Sequence, residues 1–222
     1  MNMKKNPFLG FYGYWVVLTY VAVVAAVMGI CFACSGNVDA AVVCMVVAGI
    51  CDTFDGTVAR TAKRTEMEKG FGIQIDSLAD VISFGVLPAV IGYGIYSRWG
   101  VHTTLNTVIT VAIMGGYVLG ALIRLAYFNV TEEVNQAKGE KRTSYEGLPV
   151  TMSSLILSVT YAVCGGMARY ISGIYTALLL VIGLAFVLRF RIPKLKLGSA
   201  VALGFAGLAV IILALICRGI IG

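Results

Sequence analysis

Long apolar runs separated by short polar segments make up most of the chain. A helix needs roughly 20 apolar residues to cross the hydrocarbon core of a bilayer, and seven runs approach or exceed that length. They are continuous rather than alternating at every second residue, which disfavours a transmembrane β-barrel. The runs predict membrane-spanning helices at Tyr14–Cys34, Ala40–Ala59, Phe71–Tyr96, Leu105–Phe128, Val150–Met167, Ile174–Phe190 and Ser199–Cys217.

The fifth and sixth runs are short, so we predict an all-α polytopic transmembrane bundle of about six to eight spans. The polar connectors are too short to separate domains, and the sequence shows no internal repeat. We therefore expect a single membrane-embedded domain over residues 1–222. Composition agrees, since 59% of the residues are apolar, only 13% are charged and the mean hydropathy is +0.90. This balance excludes a soluble globular enzyme and a disordered chain.

The distribution of Lys and Arg predicts the orientation of the bundle. The formal net charge is +6, and in a membrane protein a basic excess usually marks cytoplasmic segments rather than a nucleic-acid partner. With a cytoplasmic N-terminus, inside segments hold thirteen of the 17 basic residues, and outside segments hold Arg98, Arg169 and Arg218. We therefore expect an integral membrane protein with its N-terminus in the cytoplasm and no nucleic-acid partner.

Four aspartates lie inside the predicted spans: Asp52, Asp55, Asp76 and Asp80. A carboxylate at membrane depth is costly and is usually functional. At about 100° per residue, Asp52 and Asp55 share one face of the second span, and Asp76 and Asp80 share one face of the third. A short polar loop joins these spans, so they are antiparallel neighbours. Their acidic faces can therefore meet at the cytoplasmic edge of the bundle.

Four carboxylates in a cleft of low dielectric repel one another unless cations compensate them. Hard oxygen ligands suit Mg²⁺, Mn²⁺ or Ca²⁺, and four acids without His or Cys suggest two such ions that share ligands. Two-metal sites stabilise displacement at phosphorus. The small residues Gly56, Ala59 and Gly72 would leave room for a phosphate ligand, with Arg60 as its partner. The alternative is an interfacial salt-bridge cluster in which the acids pair with Arg60, Lys63, Arg64 and Lys69.

Residues 52–60, DTFDGTVAR, and 72–80, GIQIDSLAD, match the pattern D-x-x-D-G-x-x-A-R…G-x-x-x-D-x-x-x-D at every fixed position. The chain thereby resembles the CDP-alcohol phosphotransferase family. Its members are integral membrane enzymes, mostly homodimers, that displace CMP from a CDP-alcohol with a hydroxyl acceptor. The resemblance implies that Asp52, Asp55 and Asp76 bind metal and that Asp80 is both a ligand and the general base. It also implies a CDP pocket lined by Asp52, Gly56, Ala59, Arg60 and Gly72.

Three further segments resemble the phosphatidylserine synthases of bacteria and archaea: residues 76–89, DSLADVISFGVLPA; 124–129, RLAYFN; and 145–149, YEGLP. This resemblance implies CDP-diacylglycerol, or an archaeal CDP-ether lipid, and L-serine as substrates, in a prokaryotic cell membrane with the site facing the cytoplasm. Two Mg²⁺ or Mn²⁺ ions would be the cofactors, with Ca²⁺ as a non-catalytic substitute. Ser83, Arg124 and Asn129 are candidates for binding the acceptor or a phosphate.

Purely structural interpretations of Arg124 and Asn129 remain open. Arg124 could have a packing or snorkelling role without binding a ligand, and Asn129 could be simply a helix C-terminal residue. Two rival functions also remain. A related enzyme of the same family could use glycerol 3-phosphate or inositol phosphate as its acceptor. Because these acceptors carry a phosphate, such an enzyme should have extra basic residues near the cleft, and Arg124 and the 138–142 segment provide them. A cation transporter would scatter its acids over several broken helices, whereas here they cluster on one hairpin.

Overall fold

The computed structural model describes residues 8–138, 144–146, 148–189 and 191–193. A 3-10 turn, Tyr14–Val16, leads into the first helix. The helices are α1 Val17–Cys34, α2 Val38–Thr61, α3 Glu66–Asp80, α4 Leu87–Trp99, α5 Thr104–Lys138, α6 Val150–Cys164 and α7 Ala168–Val187. A π-helical segment, Val81–Val86, joins α3 to α4 without a break.

The predicted all-α membrane bundle is confirmed. Among the described residues, five helical stretches are long and apolar enough to cross a membrane: Tyr14–Cys34, Val38–Thr61, Glu66–Trp99, Thr104–Val134 and Tyr170–Val187. The apolar helix α6 is shorter, as its run in the sequence predicted. The seventh predicted span, Ser199–Cys217, lies outside the described residues.

Helices extend well into three of the predicted polar connectors, which are Thr61–Gly70 (the second), Asn129–Pro149 and Ala168–Gly173. The second connector shortens to residues 62–65, because α3 begins at Glu66 behind a capping box in which Thr65 and Glu68 bond each other's backbone N–H. Helix α5 continues to Lys138, and α7 starts at Ala168. Apolarity marks where a helix is buried in lipid, but good helix formers such as Glu, Gln, Ala and Lys extend it into water.

A tight turn makes α1 and α2 an antiparallel hairpin. Gly36 takes a φ of +82°, which a residue with a side chain rarely adopts. Asn37 then caps α2, its side-chain oxygen accepting from the backbone N–H of Ala40 at 3.2 Å. The turn holds α1 and α2 in register along their length.

The third span is the most buried of the five and forms the centre of the bundle. Large side chains from five elements meet around it with under 2% of their surface exposed: Met45, Phe84, Tyr117, Leu157 and Tyr175. The remaining described element is a small antiparallel ribbon of two strands, β1 Ser144–Glu146 and β2 Arg191–Pro193. It links the segment after α5 to the segment after α7.

The π-helical segment has a local cause that the sequence contains. Pro88 has no backbone N–H, so it cannot donate to the carbonyl of Phe84, four residues earlier. The hydroxyl of Tyr117 on α5 donates to that carbonyl instead, at 2.7 Å, and its oxygen lies 2.9 Å from Ser153 Oγ on α6. The widened turn follows Asp80 directly, at the end of α3.

Candidate active site

The α2–α3 hairpin brings the four predicted acids together. Asp52 and Asp55 lie in the last three turns of α2, and Asp76 and Asp80 lie in the second half of α3. The connection of residues 62–65 is short, and α1 packs against both α2 and α3. The side chain of Asp52 interacts with that of Asp80, and the side chain of Asp55 interacts with that of Asp76.

Three of these acids form a group that could hold a metal ion. Asp52, Asp76 and Asp80 each offer a carboxylate oxygen, and the three oxygens lie within 4.8 Å of one another. Each side chain is half-buried. Carboxylate oxygens held this closely suit a hard divalent cation such as Mg²⁺, Mn²⁺ or Ca²⁺, so the donor set fits the predicted ions.

Asp55 has a different environment from the other three acids. It is 8% exposed, and its Oδ2 accepts a hydrogen bond from Thr19 Oγ1 of α1 at 3.2 Å. Thr19 is itself buried, with 5% of its surface exposed. We call the matched pattern of residues 52–60 and 72–80 the signature, and its four aspartates, Asp52, Asp55, Asp76 and Asp80, the acid cluster. The first helix carries no residue of the signature, yet it contacts the acid cluster directly through Thr19.

Three of the four basic residues beside the hairpin, Arg60, Arg64 and Lys69, make contacts other than ion pairs with the aspartates. Among the described residues, none of the four cations beside the hairpin forms an ion pair with the four acids. Arg60 Nε donates to the Gly56 carbonyl at 2.9 Å, and Lys69 pairs with Glu66 at 2.7 Å. The guanidinium of Arg64 lies over the ring of Trp15, 5.3 Å from its centroid. The salt-bridge alternative is therefore wrong for this arrangement.

The two signature glycines face different surroundings. A Cβ at Gly56 would meet nothing within 4 Å, whereas a Cβ at Gly72 would lie 3.2 Å from Arg64 Nη1 and 3.2 Å from Trp15 Cζ3. The surface at Gly56 is thus open to a ligand, next to the guanidinium of Arg60. The surface at Gly72 is covered by the Trp15–Arg64 stack. Ala59, one turn after Gly56, is half-buried.

The candidate acceptor residues are placed on α5 and on the π-helical segment. Ser83 is 1% exposed, and its Oγ has no hydrogen-bond partner among the described residues. Arg124 is 8% exposed within α5. Asn129 lies inside α5 rather than at its end, so the interpretation of Asn129 as a helix-terminal residue is wrong. Its amide nitrogen lies 2.8 Å from Ser77 Oγ of α3, next to Asp76.

Sequence reasoning missed two contributors on one face of the first span, Trp15 and Thr19. They are four residues apart, hence one turn apart on a helix, and they contact Arg64 and Asp55 respectively. The available signal was Thr19 itself, a hydroxyl inside an apolar run. The partner of that hydroxyl depends on how α1 packs against α2, which the sequence pattern does not specify.

The helical fold and the clustered aspartates identify the class of protein: an integral membrane helical bundle with a carboxylate cluster on one helical hairpin. The sequence matches the family model for CDP-alcohol phosphatidyltransferase over residues 16–189, well over half of the chain. The chain therefore belongs to the CDP-alcohol phosphatidyltransferase family. The match covers the described helices from α1 to α7.

Curated relatives carry related names. The chain is 39% identical to CDP-diacylglycerol–serine O-phosphatidyltransferase of Saccharomyces cerevisiae over 126 residues, 55% of this chain and 42% of the yeast protein. It is 35% identical to archaetidylserine synthase of Methanothermobacter thermautotrophicus over 134 residues, 60% of this chain and 51% of that protein. A Helicobacter pylori CDP-diacylglycerol–serine O-phosphatidyltransferase is 28% identical over 184 residues, 81% of this chain and 71% of that protein. The chain thus spans about half the length of the first two relatives.

Proposed function

We propose that this protein transfers a phosphatidyl group from CDP-diacylglycerol, or from an archaeal CDP-ether lipid, to L-serine, giving phosphatidylserine and CMP. The observation that carries the proposal is the convergence of Asp52, Asp76 and Asp80 between α2 and α3. The names of the relatives in yeast and in a methanogenic archaeon support serine as the acceptor and a lipid-linked CDP as the donor. Family membership and the clustering of the acids on one hairpin weigh against a cation transporter.

The acid cluster is the proposed site for two divalent cations, Mg²⁺ or Mn²⁺, with Ca²⁺ as a non-catalytic substitute. Asp52, Asp76 and Asp80 would hold one ion, since their oxygens already converge. Asp55, which interacts with Asp76, would complete the second site. When bound, such ions neutralise the diphosphate charge and that of the departing phosphate.

The residues of the hairpin then have separate roles in the proposed reaction. Asp80 accepts the proton of the serine hydroxyl while the serine oxygen forms a bond to the lipid-side phosphorus. The bond between that phosphorus and the CMP oxygen breaks, and CMP leaves with the electron pair. Arg60, fixed beside the open surface at Gly56, stabilises the phosphate of CMP. Asp52 and Ala59 complete the proposed CDP pocket. Gly72 is assigned to that pocket by the family resemblance alone, because Trp15 and Arg64 cover its surface.

The acceptor side is proposed to lie between α3, the π-helical segment and α5. Ser83 offers a buried hydroxyl one turn beyond Asp80. Arg124 offers a cation for the serine carboxylate or a phosphate. Asn129 is bound to Ser77, so it would orient the α3 backbone near Asp76 as well as contact the acceptor.

The surroundings of the reaction are part of the proposal. The excess of basic residues on one side supports a site that faces the cytoplasm, and the resemblance to synthases of bacteria and archaea supports a prokaryotic cell membrane. The lipid tails would remain in the bilayer, where burial of each methylene contributes ~0.8 kcal/mol to anchoring. A homodimer is expected from the family resemblance.

Measuring CMP release by the purified protein with different acceptors tests the proposed function. With CDP-diacylglycerol and Mn²⁺, we expect release with L-serine and little with glycerol 3-phosphate or inositol phosphate. The Asp76→Asn variant is the negative control. Release that prefers a phosphorylated acceptor would replace serine by the sibling reaction. Absence of CMP release with every acceptor, from CDP-diacylglycerol and from the CDP-ether lipid alike, would contradict the transferase function itself.

A further inference from the structure

Thr19 differs from other threonines of the bundle in the direction of its hydrogen bond. A threonine in a membrane helix commonly donates to the carbonyl four residues earlier in its own helix, as Thr53 does to Gly49 and Thr160 does to Ile156, both at 2.8 Å. Thr19 Oγ1 instead reaches across from α1 to Asp55 Oδ2 on α2. Its hydroxyl is thus directed to the acid cluster.

Both partners of this bond are buried, which makes its geometry well defined. Thr19 is 5% exposed and Asp55 is 8% exposed. Small and short side chains around them, Ala22 on α1 with Ala48 and Cys51 on α2, pack these helices closely. A donor to one carboxylate oxygen fixes the rotation of the carboxylate plane, and with it the direction of the other oxygen.

Outer residues that orient a metal ligand are often as important as the ligand. Removing such a hydrogen bond typically costs about 10- to 100-fold in metal affinity or activity. Asp55 is the acid whose oxygens lie outside the group formed by Asp52, Asp76 and Asp80. It therefore depends most on a partner from outside the hairpin to point towards a shared ion.

We propose that Thr19 is a positioning residue that holds the Asp55 carboxylate in the orientation required to bind a divalent cation. This inference rests on the proposed function only in that the acid cluster binds cations. It assigns a role to α1, which lies outside the signature. The identity of the acceptor alcohol does not enter it.

The test is Mn²⁺ binding by the purified full-length protein without lipid or serine, followed by the electron paramagnetic resonance signal of free Mn²⁺. Thr19→Val preserves shape and removes the hydroxyl, so we expect about 10- to 100-fold weaker binding. Thr19→Ser restores the donor and should bind nearly as well as the wild type. Thr53→Val is the matched control, because it removes an exposed hydroxyl bonded within α2, and it should leave binding unchanged.

A second comparison separates positioning from general loosening of the bundle. Adding Thr19→Val to Asp55→Asn should weaken Mn²⁺ binding no further than Asp55→Asn alone. In the activity assay, Thr19→Val should need more Mn²⁺ for half-maximal CMP release and recover most of its rate at high Mn²⁺. Wild-type affinity in Thr19→Val, or an equal loss in Thr53→Val, would overturn the proposal for Thr19 alone. Absence of Mn²⁺ binding in the wild type would instead contradict the metal site of the proposed function.

Discussion

Gly56 shows how a single absent side chain can serve a ligand rather than the fold. Open space lies where its Cβ would be, so Gly56→Ala should fold normally. Alanine in a helix is even favoured over glycine by about 1 kcal/mol. We expect this variant to unfold at the same or a higher temperature while its affinity for CMP and CDP-diacylglycerol falls, since the methyl group enters the proposed pocket.

The control for this prediction is Gly70→Ala. Gly70 lies in α3, also faces open space and is outside the signature, so alanine there should leave nucleotide affinity unchanged. Calorimetric titration with CMP and thermal unfolding in detergent measure the two effects separately. Equal CMP affinity in Gly56→Ala and the wild type would remove Gly56 from the pocket.

Asp80 can act as a base, as a ligand or as both, and its variant separates these roles. General-base help is typically worth ~10²–10⁴ in rate. Asp80→Asn should therefore lose at least that much at saturating Mn²⁺, while CDP-diacylglycerol binding survives better than in Asp76→Asn. The measurement is the rate of CMP release against Mn²⁺ concentration. Full recovery of the rate at high Mn²⁺ would leave Asp80 a ligand only.

At the residue scale, the sequence predicted the acids that meet but not what surrounds them. The spacing of Asp52 with Asp55 and of Asp76 with Asp80 requires only helical geometry and a short loop, and their convergence is found. The stack of Trp15 on Arg64 and the bond from Thr19 depend on contacts between residues 36 to 49 positions apart. Such contacts follow from packing and not from periodicity.

At the element scale, helix positions were predictable from apolar runs, and helix interiors were not. The third span was predicted as a membrane-spanning helix, Phe71–Tyr96, with no sign of the π-helical segment Val81–Val86 that it contains. Pro88 was the available signal, because proline inside a helix leaves a carbonyl without its donor. What the sequence could not show is that Tyr117 supplies a replacement donor to Phe84.

The close approach of α5 to α7 depends on glycines of the two helices. A Cβ at Gly120 would lie 2.8 Å from the carbonyl oxygen of Gly183, a distance that forces the helices apart. Overpacking of this kind costs typically 1–3 kcal/mol. We expect Gly120→Ala to lower the unfolding temperature of the protein in detergent.

Gly116 provides the matched comparison on the same helix. It lines an apolar groove of about 400 Å³ between α5 and α7, and a Cβ there would meet nothing within 4 Å. Gly116→Ala should therefore leave the unfolding temperature unchanged or raise it. If both variants unfold at the same temperature, close packing of glycines does not limit the approach of these helices.

At the scale of the whole molecule, the fold places the predicted cytoplasmic segments at one end of the bundle. Consecutive spans alternate in direction, with α3 and α4 forming one continuous span, so the start of α1, the α2–α3 loop, the end of α5 and the end of α7 share one side with the acid cluster. These are the segments that hold most of the basic residues. One orientation therefore satisfies both the charge asymmetry and the access from water of serine and CMP, the proposed acceptor and product, to the site.

Reporter fusions at three positions test the orientation and the number of spans together. Alkaline phosphatase is active outside the cytoplasm and green fluorescent protein fluoresces inside it. Fusions after Lys63 should fluoresce, and fusions after His102 should show phosphatase activity, because these residues precede and follow the third span.

With a cytoplasmic N-terminus and seven spans, a fusion after Gly222 should also show phosphatase activity. If the Gly222 fusion fluoresces while the other two fusions behave as expected, the number of spans is even, and Ser199–Cys217 does not cross the membrane. Reversal at Lys63 and His102 would place the acid cluster on the outer side, away from cytoplasmic CMP and serine, and would contradict the orientation that the basic residues predict.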